Sequence, residues 1–170
     1  MLKILFICTH NRCRSILAEA IARHASTRCQ LERNGQATLD VRSAGSHPEG
    51  VVFPGTLTYL ERQGISTEGL VSQSWDELEE FAPDVVITVC DNAAGEACPA
   101  WMGKAARVHW GLPDPSKQPD EAMQQGMFDQ VGRMMLQRLT LLAETPLDGL
   151  SGFEELSATV EQLLSSERFI

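Results

Sequence analysis

The pattern of apolar and polar positions divides the chain into short apolar runs and longer stretches with helical spacing. Leu2 to Ile7 is apolar except for one Lys, which predicts a short strand buried on both faces. From Ser15 onward, Ile16, Leu17, Ala20, Ile21 and His24 fall at helical spacing, giving one apolar stripe to about Thr27. Thr38 to Ser43 alternates, Leu39 and Val41 against Asp40 and Arg42, and predicts a second strand. Pro54 suits the first turn of a helix ending near Gly64, with Leu57, Tyr59 and Leu60 facing inward. Ser74 and Glu77 stand at capping-box spacing, so a short helix runs to Phe81 before Pro83 stops it. Asp84 to Val89 and Ala105 to Trp110 read as the third and fourth strands.

A long amphipathic helix follows from Asp120 to Leu142, its stripe carried by Met123, Met127, Val131, Met134, Met135 and Leu139. Ser151 with Glu154 caps a last helix that groups Phe153, Leu156, Val160 and Leu163. Between these elements, Asn34-Gly35 reads as a turn, and residues 44–50 and 145–149 read as loops. Residues 91–103 are small and polar with two glycines, and no core element is expected there.

Strands alternating with helices predict an α/β fold: a four-stranded parallel sheet with helices on both faces. The 170 residues suit a single domain, with residues 1–145 as its core and 146–170 as a C-terminal helical extension. A composition of 43% hydrophobic and 22% charged residues is that of a soluble globular protein. No apolar run reaches membrane-spanning length and no basic signal-peptide region opens the chain, so a cytoplasmic location is expected. Thiols are held reduced there, and five cysteines then point to catalysis, redox chemistry or metal rather than structural disulfides. A net charge of −9 argues against nucleic acid and against a membrane surface as partners.

Ligands of such sheets bind outside the carboxyl ends of the strands, where Cys8, Cys90 and Asp114 all fall. Cys8-Thr9-His10-Asn11-Arg12-Cys13-Arg14-Ser15 joins a strand to a helix N-terminus, which aims successive N–H groups and the helix dipole at one point. That point suits a tetrahedral oxyanion, and Arg14 adds a planar charged fork. The negative net charge does not forbid an anion, because remote exposed charges are screened within about 8–10 Å. Cys8, at the floor of this cradle, is expected to have a pKa below the free value of about 8.5, with Ser15 donating to the thiolate.

Asn11 tolerates the left-handed backbone such a loop needs, while His10 is expected to face solvent. A buried cysteine at a strand end is equally what a small hydrophobe looks like. Cys90 and Cys98 flank a small-residue segment; they lack the spacing and histidine partners of a zinc site and suit a thiol pair that shuttles a disulfide. Two unrelated cysteines would look the same. Asp114, between two prolines, is placed for a general acid. Cys13 and Cys29 need no role, although Cys13 is a candidate disulfide partner of Cys8 under oxidation.

The run Cys8 to Ser15 resembles the phosphate-binding loop of the low-molecular-weight protein tyrosine phosphatase fold, as do Ser43-Ala44-Gly45 and Asp114-Pro115. Val89-Cys90, Cys98-Pro99 and His109-Trp110-Gly111 are similar to the thioredoxin-coupled arsenate reductases built on that fold. The resemblance covers about residues 2–142. It implies an oxyanion site formed by Thr9, His10, Asn11, Arg12, Cys13 and Arg14, and arsenate as substrate, with phosphate or sulfate as analogues. It further implies a relay: Cys8 attacks arsenate, Asp114 protonates the leaving oxygen, Cys90 attacks Cys8, Cys98 attacks Cys90, and thioredoxin or glutaredoxin reduces the final disulfide.

The alternative that the resemblance carries is a protein tyrosine phosphatase acting through a Cys8 phosphocysteine. Ser116 stands where phosphatases of this fold often place Tyr. His10 and Arg12 depart from the loop's usual Gly and small or apolar residue, and the Cys90 to Cys98 interval is longer than in the thioredoxin-coupled members. Near Gln73 the acidic residue of some members' potassium site is missing, so no metal is expected, and no cofactor.

Overall fold

The strands are β1 (Leu2–Ile7), β2 (Leu39–Ala44), β3 (Val85–Thr88) and β4 (Ala106–His109). In this computed structural model, which describes residues 1–33, 35–147, 150 and 152–165, they form one parallel sheet in the order β2-β1-β3-β4. Asn34 of the predicted turn, Asp148 and Gly149 of the predicted loop, and the Ser151 cap lie outside the described residues. Ile4 to Ile7 are fully buried, as expected of a central strand covered on both faces. Ile4 stands opposite Val41 on one side and Val85 on the other, and Ile7 opposite Ala44 and Thr88. The crossover from β1 runs outward to β2 and that from β3 runs outward to β4. The point where the chain changes direction is therefore the crevice between β1 and β3, at their carboxyl ends.

The helices are α1 (Arg14–Glu32), α2 (Pro54–Arg62), α3 (Asp91–Gly95), α4 (Glu121–Glu144) and α5 (Phe153–Leu164). The Ser74 capping box forms with both of its arms and opens a 3₁₀ stretch, Trp75–Phe81. α1 departs from the predicted single stripe. Every residue from Ser15 to Ala22 is buried, because α1 is packed between β2 and α4, and Ala18, Ala20 and Ala22 let those neighbours approach closely.

Residues 91–103 also differ from expectation. They hold α3 and a 3₁₀ turn, Ala100–Lys104, and bury Ala93 and Met102. Small side chains there permit tight packing rather than marking a loop. On α4 the buried face is Phe128, Val131, Met135, Leu139 and Leu142, while Met123 is exposed. Leu57 is only partly buried, and Phe153 is 56% exposed, so Val160 and Leu164 anchor α5. α5 packs on β4 and α4, and Ser157 Oγ donates to the Arg107 carbonyl at 2.8 Å, which covers part of an open sheet edge. Among the described residues no helix is long and apolar enough to cross a membrane.

Candidate active site

The loop between β1 and α1 is held by its neighbours so that its amides turn inward. The carbonyls of Thr9, His10 and Arg12 accept from the N–H groups of His47, Glu49 and Phe53 at 2.9, 3.1 and 2.9 Å. Because the C=O and N–H of a trans peptide point in opposite directions, tying the carbonyls outward leaves N–H groups facing the centre of the loop. No side chain caps the N-terminus of α1, so its first amides and dipole are also available there.

Asn11 carries the loop's left-handed residue at φ 44° and is fully buried. Its Nδ2 donates to Ser15 Oγ at 2.8 Å and Ser43 Oγ at 3.1 Å, and its Oδ1 accepts from the Gln73 amide at 2.8 Å. Gly45 lets the chain after β2 pass beneath: a Cβ there would lie 2.5 Å from the Thr9 carbonyl oxygen and 2.8 Å from that of Cys8.

Arg14 reaches from the first residue of α1 across the crevice. Its Nη1 donates to the Leu112 carbonyl at 2.9 Å, and its Nη2 lies 3.4 Å from Asp114 Oδ2. Its Nε is buried without a protein partner, a donor left for a ligand. The other oxygen of Asp114 is taken: Oδ1 accepts from both the amide and the hydroxyl of Ser116, at 3.0 and 2.7 Å. Oδ2, beside Arg14, is the Asp114 oxygen not tied to Ser116. Ser116 Oγ in turn accepts from Arg12 Nη1 at 3.0 Å, and Arg12 pairs with Glu49 at 3.2 Å over the Phe53 ring. Asp-x-Ser spacing is the sequence signal for this turn.

The structure brings Cys90 into the recess with Cys8, and this turns the expected direction of the Cys8 pKa around. The Cys8 thiol bonds to Cys90, and that bond, followed by burial, pushes its pKa up despite the Arg14 guanidinium. Cys90 is pulled down to about 5, first by the bond from Cys8 and then, against burial, by the Ala93 amide and by Thr9. Two thiolates in contact repel, so the pair favours one negative charge over two. The Ala93 amide lies 3.4 Å from Cys90 Sγ, which is the N-cap of α3, and Thr9 Oγ1 lies 3.7 Å from it.

Ser15 Oγ accepts from Asn11 Nδ2 and so helps prop the loop, which leaves its own hydroxyl proton to donate. His10 is exposed, as expected, with Nδ1 3.2 Å from the His47 carbonyl. Burial pushes the Cys13 thiol up to about 12, and Cys29 faces the Ala143 carbonyl at 3.6 Å; neither is a reactive sulfur. All five cysteines are free, and Cys98 is half-buried beside its own segment, 3.8 Å from the Glu96 carbonyl.

Cys8, Thr9, Arg12, Arg14, Cys90 and Asp114 line a recess of about 30 Å³, room for one or two waters. A groove of about 490 Å³ between α2 and the start of α4, lined by Phe53, Tyr59 and Phe128, is larger but holds none of these groups. Convergent chemistry rather than size marks the site. Sequence reasoning missed Glu96, whose Oε1 accepts from the Thr9 hydroxyl at 2.7 Å; no local pattern signals a contact between such distant residues.

Fold and loop together define an oxyanion-binding α/β protein with a cysteine at the loop's floor. A model of the low molecular weight phosphotyrosine protein phosphatase family matches residues 3–162, and the chain belongs to that family. The match takes in most of α5. Among curated relatives, the arsenate reductases of Halalkalibacterium halodurans and Bacillus subtilis are each 32% identical over 143 residues, covering 84% of this chain and 95% of theirs. A solved arsenate reductase in the phosphate binding state superposes with a TM-score of 0.64 at 26% identity, covering 84% of this chain and 97% of that one. The thioredoxin-dependent arsenate reductase of Corynebacterium glutamicum superposes with a TM-score of 0.57 at 27% identity, covering 79% of this chain and 58% of that one.

Proposed function

We propose that this protein is an arsenate reductase whose reaction runs through Cys8, Cys90 and Cys98. The observation that carries this reading is that Cys90 lines the same recess as Cys8, together with Arg14 and Asp114. A phosphatase of this fold needs only the nucleophile, the arginine and the acid. A second thiol held at the nucleophile's sulfur is what reduction requires.

Arsenate enters the loop against the inward amides and the free Nε of Arg14. Its arrival displaces Cys90 and gives Cys8 the donors that favour its thiolate. Cys8 Sγ attacks arsenic, and the proton on Asp114 Oδ2 goes to the departing oxygen, which leaves as water. Cys90 thiolate then attacks Cys8 Sγ. The sulfur–sulfur bond forms as the sulfur–arsenic bond breaks, its electron pair stays on arsenic, and arsenic(V) leaves as arsenite. Cys98 thiolate attacks Cys90 Sγ, releasing Cys8 as thiolate and leaving a Cys90–Cys98 disulfide. A dithiol protein, thioredoxin or glutaredoxin, takes that disulfide and returns both thiols. The small residues around α3 suit the movement the relay needs.

The family also favours phosphotyrosine hydrolysis through a Cys8 phosphocysteine. Against it, the mouth carries the Arg12 guanidinium and the Ser116 hydroxyl, bonded to each other, where an aryl group needs an apolar wall. The test is arsenate turnover with thioredoxin or glutaredoxin, beside aryl phosphate hydrolysis, for wild type, Cys90→Ser and Cys98→Ser. Arsenate reduction abolished by either substitution is the expected result. Arsenate turnover indifferent to both refutes the relay, and phosphatase activity surviving in both supports the alternative.

A further inference from the structure

Cys90 and Asn92 line the recess at the loop, so an oxyanion seated there competes for space with residues 90–98. Two side-chain tethers hold that segment from opposite sides. On the sheet side, Asp91 Oδ1 lies 3.0 Å from His109 Nε2, whose Nδ1 lies 2.9 Å from Thr88 Oγ1. On the loop side, Glu96 Oε1 accepts from Thr9 Oγ1 at 2.7 Å.

The loop-side tether is made by an anion. Thr9 directly follows Cys8 within the oxyanion loop, so its hydroxyl presents the Glu96 carboxylate at the edge of the place where a substrate anion arrives. The hydroxyl has one proton to give, and Glu96 takes it, although Cys90 Sγ is only 3.7 Å away. Glu96 does not itself line the recess but is one hydrogen bond behind Thr9, which does, so an oxyanion in the loop and the carboxylate repel each other and compete for the Thr9 proton.

Resting on the reaction proposed above, we propose that Glu96 is a positioning residue that acts as an anion-sensitive latch. With the loop empty, its carboxylate holds the relay segment closed and Cys90 at Cys8. An arriving oxyanion expels the carboxylate, frees the Thr9 proton for the anion or for Cys90, and opens the segment. Asp91 and His109 remain as the attachment about which it swings back once charge leaves the loop. The latch thereby couples substrate entry to withdrawal of the second thiol, so that Cys8 meets arsenate before Cys90 meets Cys8.

The test uses the full-length reduced protein and inorganic phosphate as probe, with no turnover required. Calorimetric titration compares wild type, Glu96→Gln, Glu96→Ala and the control Glu80→Gln, which removes an exposed carboxylate outside the segment. The expected result is phosphate binding about tenfold tighter in both Glu96 variants, equivalent to about 1.4 kcal/mol, and far less change in Glu80→Gln. In parallel, alkylation of Cys90 and Cys98 is mapped by mass spectrometry with and without phosphate. Phosphate should speed it at least severalfold in wild type and leave it unchanged in Glu96→Ala, which is already open.

Equal phosphate affinity in wild type and Glu96→Gln overturns the latch, as does equal tightening by Glu80→Gln, which reduces the effect to net charge. Alkylation indifferent to phosphate in wild type overturns it too. Thermal melts show whether each variant is folded, and Glu96→Gln, which keeps the shape and one acceptor, carries the test if Glu96→Ala does not fold. Should arsenate reduction fail while phosphate still releases the segment, the proposed function falls and the latch stands.

Discussion

Removing Cys8 should move the titration of a different cysteine, and the size of that movement follows from the pair. Cys90 titrates at about 5, and the hydrogen bond from Cys8 is the largest cause. In Cys8→Ala that bond is gone, burial still opposes the charge, and the Ala93 amide and Thr9 remain. A hydrogen bond to a charged group is worth about 1.5–3 kcal/mol. At 1.36 kcal/mol per pH unit this raises the Cys90 midpoint by about one to two units.

The choice of assay matters. At pH 6 a two-unit rise cuts the thiolate fraction about tenfold, but the more basic thiolate is intrinsically about six- to tenfold more reactive at a Brønsted slope of ~0.4–0.5. Alkylation rates at one pH would nearly cancel. The midpoint of a full profile, from thiolate ultraviolet absorbance with alkylation mapped to Cys90, does not cancel. A midpoint that stays near 5 without Cys8, or alkylation of Cys8 ahead of Cys90 in the wild type, would refute the assignment of the charge.

The same pair shapes stability against pH. Cys90 is depressed below its ordinary value near 9, so its contribution is present above 9 and is lost as pH falls through about 5; Cys8 is raised, so its contribution is lost as pH climbs above 9. Chemical unfolding at several pH values should show this peak shrink in Cys90→Ser. Burial raises the pKa of Glu19 above 4.5 despite the 2.6 Å pair with Arg23, so wild type should lose ground to Glu19→Gln as pH rises from about 4.5, read as a widening Tm difference. Asn11→Ala strands the Gln73 amide and two serine hydroxyls and keeps a strained φ; a cost of about 3 kcal/mol or more, with weaker phosphate binding, is expected in denaturant melts and calorimetry. Ser116→Ala removes one of two donors on Asp114 Oδ1 and should lower kcat about tenfold with KM little changed; a KM effect alone would show that Ser116 does not aim the acid.

Much of the scaffold is readable one segment at a time. The four apolar runs, the Ser74 to Glu77 box and the strand–loop–helix at Cys8 are local, and each depends on residues within a few positions of one another. Asn11 belongs with them, since its tolerance of positive φ is a property of its own side chain. The α1 stripe and the 91–103 segment were misread for one reason: small residues carry no periodic signal, and how completely they are buried depends on what packs around them.

What the sequence alone determined is therefore the strand–loop–helix that carries Cys8 and Arg14 and the strand ends that carry Cys90 and Asp114. Only the tertiary structure decided what stands beside Cys8 and so which way its pKa moves. Electrostatic energies fall with distance in space, and the partners that set them here, Cys8 with Cys90, Thr9 with Glu96, and Asp114 with Arg14, are separated by 82, 87 and 100 positions along the chain. A loop read by itself predicts a lowered Cys8 pKa; with Cys90 folded against it, the direction reverses.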